Sequence, residues 1–388
     1  MMIKRDSEEK LKELASRYSV VMLIGPRQSG KTTLCRNIFK NKPYVLLENP
    51  DQREYAHNDP RGFLAQFPDG AVFDEIQKVP ELIEYLQGIV DSSKQKGLFI
   101  LTGSQNLLLS HKITQSLAGR TAILNLLPFS FHEIRETISN MSIDEIIFTG
   151  FFPRIYDEHL PPAEALNFYF KTYIERDVRE LINLKDLLRF QTFIRLCAAR
   201  TGQVLNVSSL GNEAGVSHQT ARDWLSLLEV SFIVFRLPPF HRNYNKRLVK
   251  SPKLYFYDVG LAAHLLEITT VSHVRNHPLR GNLFENMVVA ELIKDKFNQA
   301  KENNLCFFRD SNENEVDIID QQADGLTAVE IKSSQTITPS LFKGLNYLEK
   351  ISKDPVVEKY VIYGGDISQK RTNAHVLGFR NYYRSLHV

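Results

Sequence analysis

Residues 25–32 read GPRQSGKT and directly follow the apolar run SVVMLI at residues 19–24. The two glycines, the lysine and the threonine occupy every fixed position of the pattern G-x-x-x-x-G-K-[ST]. Glycines at this spacing let backbone N–H groups curl around phosphate oxygens, and the helix that follows directs its positive N-terminal end at them. The stretch therefore predicts a phosphate-binding loop between a buried strand and a helix.

Two side chains of this loop have the chemistry that a nucleoside triphosphate requires. Lys31 would reach the β- and γ-phosphate oxygens, and the Thr32 hydroxyl would bind Mg²⁺. A glycine-rich turn with an exposed lysine is the alternative, but the strand before the loop and the helix after it favour the phosphate loop. We therefore expect ATP and Mg²⁺ as cofactors. The expected ATP contacts are Gly25, Pro26, Arg27, Gln28, Ser29, Gly30, Lys31, Thr32 and Thr33.

A second motif favours hydrolysis over simple nucleotide binding. The segment AVFDE at residues 71–75 ends an apolar strand in two adjacent carboxylates. Asp74 would hold the magnesium ion, while Glu75 would orient or deprotonate the attacking water. Such a pair alone is often a solvated turn, but downstream of a phosphate loop it is much more specific.

Two further positions are candidates for coupling the nucleotide to its surroundings. The segment LTGSQN at residues 101–106 ends the next strand, and a hydroxyl such as that of Ser104 would sense the γ-phosphate. Thr102 and Asn106 are candidates for the same role, and the alternative is that such polar groups merely cap the end of the strand. Arg120 would act as an arginine finger toward a neighbouring subunit of a homo-oligomer, and an ordinary surface ion pair is the competing interpretation.

The first part of the chain alternates apolar runs with helical segments. The runs at residues 19–25, 44–49, 71–75 and 98–104 end in polar or glycine residues, as buried strands of a parallel sheet do. We therefore predict an α/β P-loop NTPase core over residues 1–158, with its ligand at the carboxyl ends of the strands.

The composition is typical of an ordinary cytoplasmic protein. The 388 residues are 43% apolar and 24% charged, and the net charge of +3 is too small to predict nucleic-acid binding by itself. Three widely separated cysteines form no metal-ligand pair, and no apolar run approaches the ~20 residues that span a bilayer. The N-terminus is charged where a signal peptide would be apolar. We expect a cytoplasmic location and no membrane contact.

The motifs of the first third are LIGPRQSGKTTL, VFDEIQKVPEL, ILTGSQNLLL and AGRTAILNLLPFSFHEI. Together they resemble the bacterial and archaeal AAA-type ATPases that carry a C-terminal domain of unknown function. The resemblance continues through YIERDVREL, LFENMVVAEL, EVDII and AVEIKSS, so it covers nearly the whole chain. It implies an AAA-type core and ATP hydrolysis, but it implies no pathway.

The middle of the chain, residues 159–265, is predicted to be helical and to contain a winged helix. The segment VSSLGNEAGVSHQTARDWLSLLE at residues 207–229 has the pattern of a helix–turn–helix, with Gly215 at the turn and Ser217 as the N-cap of the second helix. The strand-like runs FIVFRLPPF and KLYFYD would form the wing. The apolar face would comprise Leu210, Ala214, Val216, Ala221, Leu225 and Leu228, the outward face His218, Gln219 and Arg222, and the basic wing Arg242, Lys246, Arg247, Lys250 and Lys253.

The recognition-like helix and the basic cluster coincide, which predicts contact with DNA or RNA through residues 207–253. Two alternatives remain open. Helix–turn–helix units often act as protein–protein modules or as a lid on an ATPase core, and charge runs in hairpins are usually just solvated.

The last part, residues 266–388, has carboxylates inside apolar elements. Glu285 lies in an apolar helix, Asp317 lies in EVDII, and Glu330 lies in AVEIKS with Lys332 two positions further along. Residues i and i+2 of a strand share a face, and a hairpin between the two strands would bring Asp317 beside Glu330 and Lys332. Two carboxylates and a lysine at one spot would suit Mg²⁺ and a polarised water.

This pattern of helix, three strands, helix and strand resembles the PD-(D/E)xK fold of restriction-endonuclease-like proteins. The resemblance implies that Asp317 and Glu330 bind the metal, that Lys332 orients or activates the water, and that Glu285 completes the site. Val316 departs from the motif, which has proline at that position. The alternatives are an exposed strand pair with ordinary alternating charges, and a site that binds a metal without cleaving nucleic acid.

Two functions follow from these expectations. The first is an ATP-hydrolysing enzyme whose nucleotide state controls a winged-helix and nuclease-like module that acts on or binds nucleic acid. The second is a nucleotide-dependent molecular switch that recruits protein partners, with a catalytically inactive C-terminal domain.

Overall fold

The computed structural model describes residues 3–104, 117–173, 186–240 and 250–382. The first region is built on a parallel sheet of five strands in the order β2-β3-β4-β1-β5. Every residue of β1, β3 and β4 is buried, which explains why these strands are continuous apolar runs in the sequence. The strands are β1 Val20–Ile24, β2 Tyr44–Leu46, β3 Ala71–Asp74, β4 Phe99–Gly103 and β5 Thr121–Asn125.

Five helices lie between residues 3 and 104 of the described part of this region. The side chains of Asn49 and Asp59 cap the helices Pro50–Asn58 and Pro60–Ala65, and a proline occupies the first position of each of these two helices. A short 3₁₀ turn, Ile76–Lys78, follows β3. The helices are α1 Glu8–Arg17, α2 Lys31–Ile38, α3 Pro50–Asn58, α4 Pro60–Ala65 and α5 Leu82–Ser92.

The middle region combines helices with a small antiparallel sheet. Its three strands lie in the order β6-β8-β7, and two helices joined by a turn precede the β7–β8 pair. The turn contains Gly215 at a φ of +70°, and Ser217 caps the second of these helices by accepting from the Thr220 N–H. The elements are α6 Ile143–Thr149, α7 Pro153–Asp157, α8 Pro162–Tyr169, α9 Leu187–Ala198, β6 Gln203–Val204, α10 Val207–Glu213, α11 His218–Val230, β7 Val234–Leu237, β8 Lys253–Phe256, α12 Val259–Leu265 and α13 Val271–Asn276.

The C-terminal region contains a sheet of six strands in the order β13-β14-β12-β11-β10-β9. Strands β9, β10 and β11 pair antiparallel, whereas β12 pairs parallel with both β11 and β14. A short 3₁₀ turn, Pro339–Phe342, precedes the helix between β11 and β12. The elements are α14 Arg280–Asn298, β9 Leu305–Arg309, β10 Glu315–Gln321, β11 Leu326–Lys332, α15 Lys343–Ile351, β12 Val356–Tyr363, β13 Gln369–Lys370 and β14 His375–Gly378.

Helix α14 joins the three regions. Its Asn286 is fully buried and exchanges hydrogen bonds with the backbone N–H and C=O of Phe256 on β8. Further along α14, Glu291 accepts from the Phe131 N–H, and Lys294 donates to the Phe129 carbonyl. Both Phe129 and Phe131 belong to the first region. Buried apolar side chains from all three regions pack into one cluster. Among the helices of the described ranges, none has the length and apolarity to cross a membrane.

Candidate nucleotide-binding site and C-terminal carboxylate cluster

The loop between β1 and α2 requires glycine at two positions. A Cβ atom on Gly25 would lie 2.0 Å from the carbonyl oxygen of Leu126, so no larger residue fits there without backbone movement. Gly30 has a φ of +92° and is the N-cap of α2, a left-handed conformation that favours glycine. The glycines of the pattern thus shape the loop that leads into the N-terminus of α2.

Lys31 is the buried cation of this loop. Its ammonium donates to the carbonyl oxygens of Gly25 and Pro26 at 2.9 and 2.7 Å. Burial lowers the pKa of Lys31 to about 8, because desolvation disfavours the charged form. An ammonium held among backbone groups of its own loop is suited to transfer its hydrogen bonds to phosphate oxygens.

Asp74, at the end of β3, receives hydrogen bonds from three hydroxyl groups. The Thr32 hydroxyl donates to Oδ2 at 2.7 Å, and the Tyr44 hydroxyl donates to the same oxygen. The Thr102 hydroxyl donates to Oδ1 and accepts from the Glu75 N–H at 3.2 Å. Thr32 and Asp74 therefore meet as the motif spacing predicts, Thr102 braces the turn after β3, and Tyr44 is a contact that the sequence analysis missed.

Glu75 has a φ of +58°, in the left-handed region that non-glycine residues rarely adopt. Its Oε2 accepts from the Ser104 hydroxyl at 3.1 Å and from the side-chain amide of Gln77. The same amide donates to the Ser104 hydroxyl at 2.9 Å. Ser104 and Gln77 thus hold the Glu75 carboxylate in one orientation, and the role of Gln77 was not predicted.

A cavity of about 890 Å³ adjoins these residues. Glu75 and six of the nine expected ATP contacts line it, whereas Gly25, Pro26 and Ser29 do not. Phe129, the N-terminal segment 3–5 and helix α7 complete its wall. Its six loop residues are Arg27, Gln28, Gly30, Lys31, Thr32 and Thr33.

Arg5 supports this loop from the N-terminal segment, and its role was not predicted. Its guanidinium donates to the carbonyl oxygens of Ser29 and Leu127 at 2.6 and 2.7 Å and pairs with Glu133 at 2.9 Å. Arg5 is far from the loop in the sequence and belongs to no motif, so no pattern could have indicated it.

Arg120 lies outside this cavity and forms an ion pair with Asp91. Its side chain is 38% exposed, which agrees with the competing interpretation of a surface ion pair. Its role as a finger toward another subunit remains a prediction.

The helix–turn–helix segment has the predicted faces. His218, Gln219 and Arg222 are exposed on α11, and the expected apolar face is buried apart from the half-buried Val216. Arg242, Lys246 and Arg247 lie outside the described residues. The prediction that Lys253 contacts nucleic-acid phosphates is wrong, because this side chain is 1% exposed and ion-paired inside the protein.

The four predicted residues of the C-terminal region do come together. Lys332 on β11 lies 2.7 Å from Oε1 of Glu330 and 3.2 Å from Oδ2 of Asp317, which also accepts from the Ile331 N–H at 2.8 Å. Glu285, on α14, is close enough to interact electrostatically with Asp317 and Lys332. We call Glu285, Glu315, Asp317 and Glu330 the carboxylate cluster.

A second lysine, Lys253, pairs with the carboxylate cluster, although its sequence position predicted a place in the basic wing. The ammonium of Lys253 lies 2.8 Å from Glu285, 2.5 Å from Glu315 and 3.6 Å from Asp317. Tyr255, two residues further along β8, donates to Glu285 at 2.5 Å. Burial, followed by the charge of Asp317, raises the pKa of Glu330 to about 8. Within the described ranges, no group of three or more His, Cys, Asp or Glu residues is arranged to hold a metal ion.

Comparison with protein families divides the chain into three parts. Residues 17–135 match the model of an AAA domain. Residues 140–272 match a domain of unknown function (DUF8612), and residues 280–382 match a second one (DUF4143). The first region is thus similar to an AAA-type ATPase domain, and the other two matches carry no functional description.

Uncharacterized proteins of other organisms are similar to this chain over most of their length. An uncharacterized protein of Mycobacterium tuberculosis is 29% identical over 350 residues, which cover 88% of this chain and 76% of that protein. An uncharacterized protein of Haemophilus influenzae is 24% identical over 307 residues, covering 71% and 74%. Among solved structures, a Walker-type ATPase of Pyrococcus abyssi aligns with a TM-score of 0.46 at 17% identity, covering 68% of this chain and 96% of that chain.

Proposed function

We propose that the first region binds and hydrolyses ATP. The observation that carries this proposal is that Lys31, Thr32 and Glu75 line one cavity, with the Thr32 hydroxyl donating to the buried Asp74 carboxylate behind it. They lie at the carboxyl ends of parallel strands, where α/β proteins bind their ligands. The similarity of residues 17–135 to an AAA domain supports the same activity.

In this proposal, the loop N–H groups and Lys31 bind the β- and γ-phosphates, and the N-terminus of α2 stabilises their charge. Glu75 accepts the proton of the attacking water, and Ser104 and Gln77 keep its carboxylate oriented. Bound Mg²⁺ would neutralise negative charge on the phosphates.

The residues present fit MgATP. Thr32 and Asp74 already lie 2.7 Å apart and supply the hard oxygen ligands that Mg²⁺ prefers. The Ser29 hydroxyl within the loop is buried and has no hydrogen-bond partner in the described part of the chain.

Removing the loop lysine tests this site. We expect Lys31→Ala to weaken MgATP binding by at least roughly tenfold and to abolish phosphate release, because a charge-assisted bond to the phosphates is lost. Lys96→Ala, which removes an exposed lysine on the same region, is the matched control and should behave like the parent. Unchanged ATP binding in Lys31→Ala, measured by calorimetric titration, would show that the nucleotide binds elsewhere.

We further propose that the middle and C-terminal regions bind nucleic acid. The order of α10, turn, α11 and the β7–β8 pair supports a winged helix, and the three exposed polar residues of α11 support contact with DNA or RNA. The αβββαβ order of α14 to β12 supports a nuclease-like fold.

Arg222→Ala should weaken binding of a fluorescent duplex by roughly tenfold at moderate salt, whereas Arg53→Ala, an exposed arginine of the first region, should not. If DNA and RNA neither bind nor stimulate ATP hydrolysis, and plasmid DNA stays intact with Mg²⁺ and Mn²⁺, the nucleic-acid proposal fails. The nucleotide-dependent switch that recruits protein partners is then the better account.

A further inference from the structure

We infer that the carboxylate cluster of the C-terminal region is closed by Lys253, a lysine from the middle region that pairs with Glu285 and Asp317, two of the residues from which a nuclease-like centre would be built around its divalent metal ion. The cluster is therefore an internal ion-pair centre that joins two regions of the chain. This inference is independent of ATP hydrolysis, and it restricts the C-terminal region to binding nucleic acid without metal-dependent cleavage.

The first argument is the position of the ammonium. Lys253 reaches carboxylates of two different elements, Glu285 of α14 and both Glu315 and Asp317 of β10, at 2.5 to 3.6 Å. Its side chain is 1% exposed and passes the ring of Phe307, whose centroid lies 5.5 Å from Nζ. An ammonium at this place pairs with oxygens of Glu285 and Asp317, and carboxylate oxygens are the ligands that a divalent metal ion prefers.

The second argument is that the lysine belongs to an anchored strand. Tyr255 on β8 donates to the same Glu285, and the backbone of Phe256 exchanges two hydrogen bonds with the buried Asn286 of α14. The chain that continues from β7 also bonds to β9, since the Phe240 N–H donates to the Phe307 carbonyl at 2.7 Å. Lys253 is thus held in the cluster by the packing of β8 and not by its own side chain alone.

The third argument is charge. Lys332 pairs with Asp317 and Glu330, and Arg309 pairs with Glu315 at 3.1 Å. Three cations therefore face four carboxylates. A divalent ion at Asp317 would compete with Lys253 for Oδ1 and with Lys332 for Oδ2. If it displaced Lys253, it would leave a buried charge without its partners, which is strongly unfavourable.

The test is to titrate Mn²⁺ into the full-length, nucleotide-free protein and to follow free Mn²⁺ by electron paramagnetic resonance. We expect the parent and Asp317→Asn to bind the same amount of Mn²⁺, because the cluster contributes no site in either protein. Lys253→Met, which keeps the length of the side chain and removes its charge, should gain one Mn²⁺ site. The double variant with Asp317→Asn should lose that added site.

A second readout is thermal unfolding. Lys253→Met should unfold at a lower temperature than the parent, because it leaves carboxylates without their cation, and Mn²⁺ should restore part of the loss. The inference is overturned if the parent binds a Mn²⁺ that Asp317→Asn or Glu285→Gln removes, or if folded Lys253→Met gains no site. The comparison of the parent with Asp317→Asn decides the question even if Lys253→Met does not fold.

Discussion

At the scale of single residues, the protonation of Lys31 makes nucleotide binding depend measurably on pH. Its ammonium is buried within its own loop, and this burial lowers its pKa to about 8. Phosphate oxygens favour the charged form of a neighbouring lysine and would raise the pKa again. Binding of the nucleotide and protonation of Lys31 are therefore coupled.

We predict that MgATP binding takes up protons above pH 8. At pH 8.5 the free protein should take up roughly three quarters of a proton for each ATP bound, and at pH 7 only about one tenth, since Lys31 is then already charged. Calorimetric titrations in buffers with different ionisation enthalpies measure this uptake. Equal proton uptake at the two pH values would contradict the assignment of the low pKa to Lys31.

The sequence predicted the site residues whose partners are set by local spacing, and it missed those set by the fold. Lys31 and Thr32 follow from the loop pattern, and Asp74 and Glu75 follow from a strand that ends in carboxylates. Contacts from distant segments have no such pattern. Arg5 and Tyr44 at the nucleotide site and Lys253 and Tyr255 at the carboxylate cluster were missed for this reason. Gln77 and Glu315 lie only two residues from Glu75 and Asp317 and were missed because no motif assigns them a role.

At the scale of elements, the join between β1 and α2 depends on the space beside Gly25. The carbonyl oxygen of Leu126, just after β5, would lie 2.0 Å from an added Cβ atom. The phosphate loop therefore packs directly on the segment that follows β5, and a side chain at Gly25 would separate the two.

We predict that Gly25→Ala lowers the free energy of unfolding by about 1–3 kcal/mol, because the added methyl group forces the backbone apart. Gly88→Ala is the matched control. Gly88 lies in α5 with open space around its Cβ position, so alanine there should stabilise the protein by about 0.5–1 kcal/mol. Urea denaturation of both variants measures the difference, and equal effects of the two substitutions would contradict the steric argument.

The accuracy of strand prediction also depended on burial. The fully buried β1, β3 and β4 were recognisable as apolar runs, whereas β5 is an edge strand with alternating exposure and was not predicted. The short strands β6 and β13, of two residues each, have too little pattern to be found. The helix–turn–helix was predictable because its turn and cap lie within the segment itself.

At the scale of the whole molecule, α14 links the two centres. Glu285 near its start belongs to the carboxylate cluster, while Lys294 near its end donates to the carbonyl of Phe129, which lines the nucleotide cavity. One helix thus contacts both the wall of the cavity and the carboxylate cluster. The predicted boundaries at residues 158 and 265 divide the chain in sequence, but polar contacts of α14 cross both of them.

The most direct test of ATP hydrolysis at this site is the identity of the bound nucleotide in a single turnover. Radiolabelled ATP and Mg²⁺ are mixed with excess protein, and the bound label is separated into ATP and ADP over time. The parent and the control Glu54→Gln, an exposed glutamate on α3, should convert bound ATP to ADP. Glu75→Gln should bind ATP and convert it at least roughly 100-fold more slowly, because it lacks the base. Conversion by Glu75→Gln at the parental rate would contradict the account.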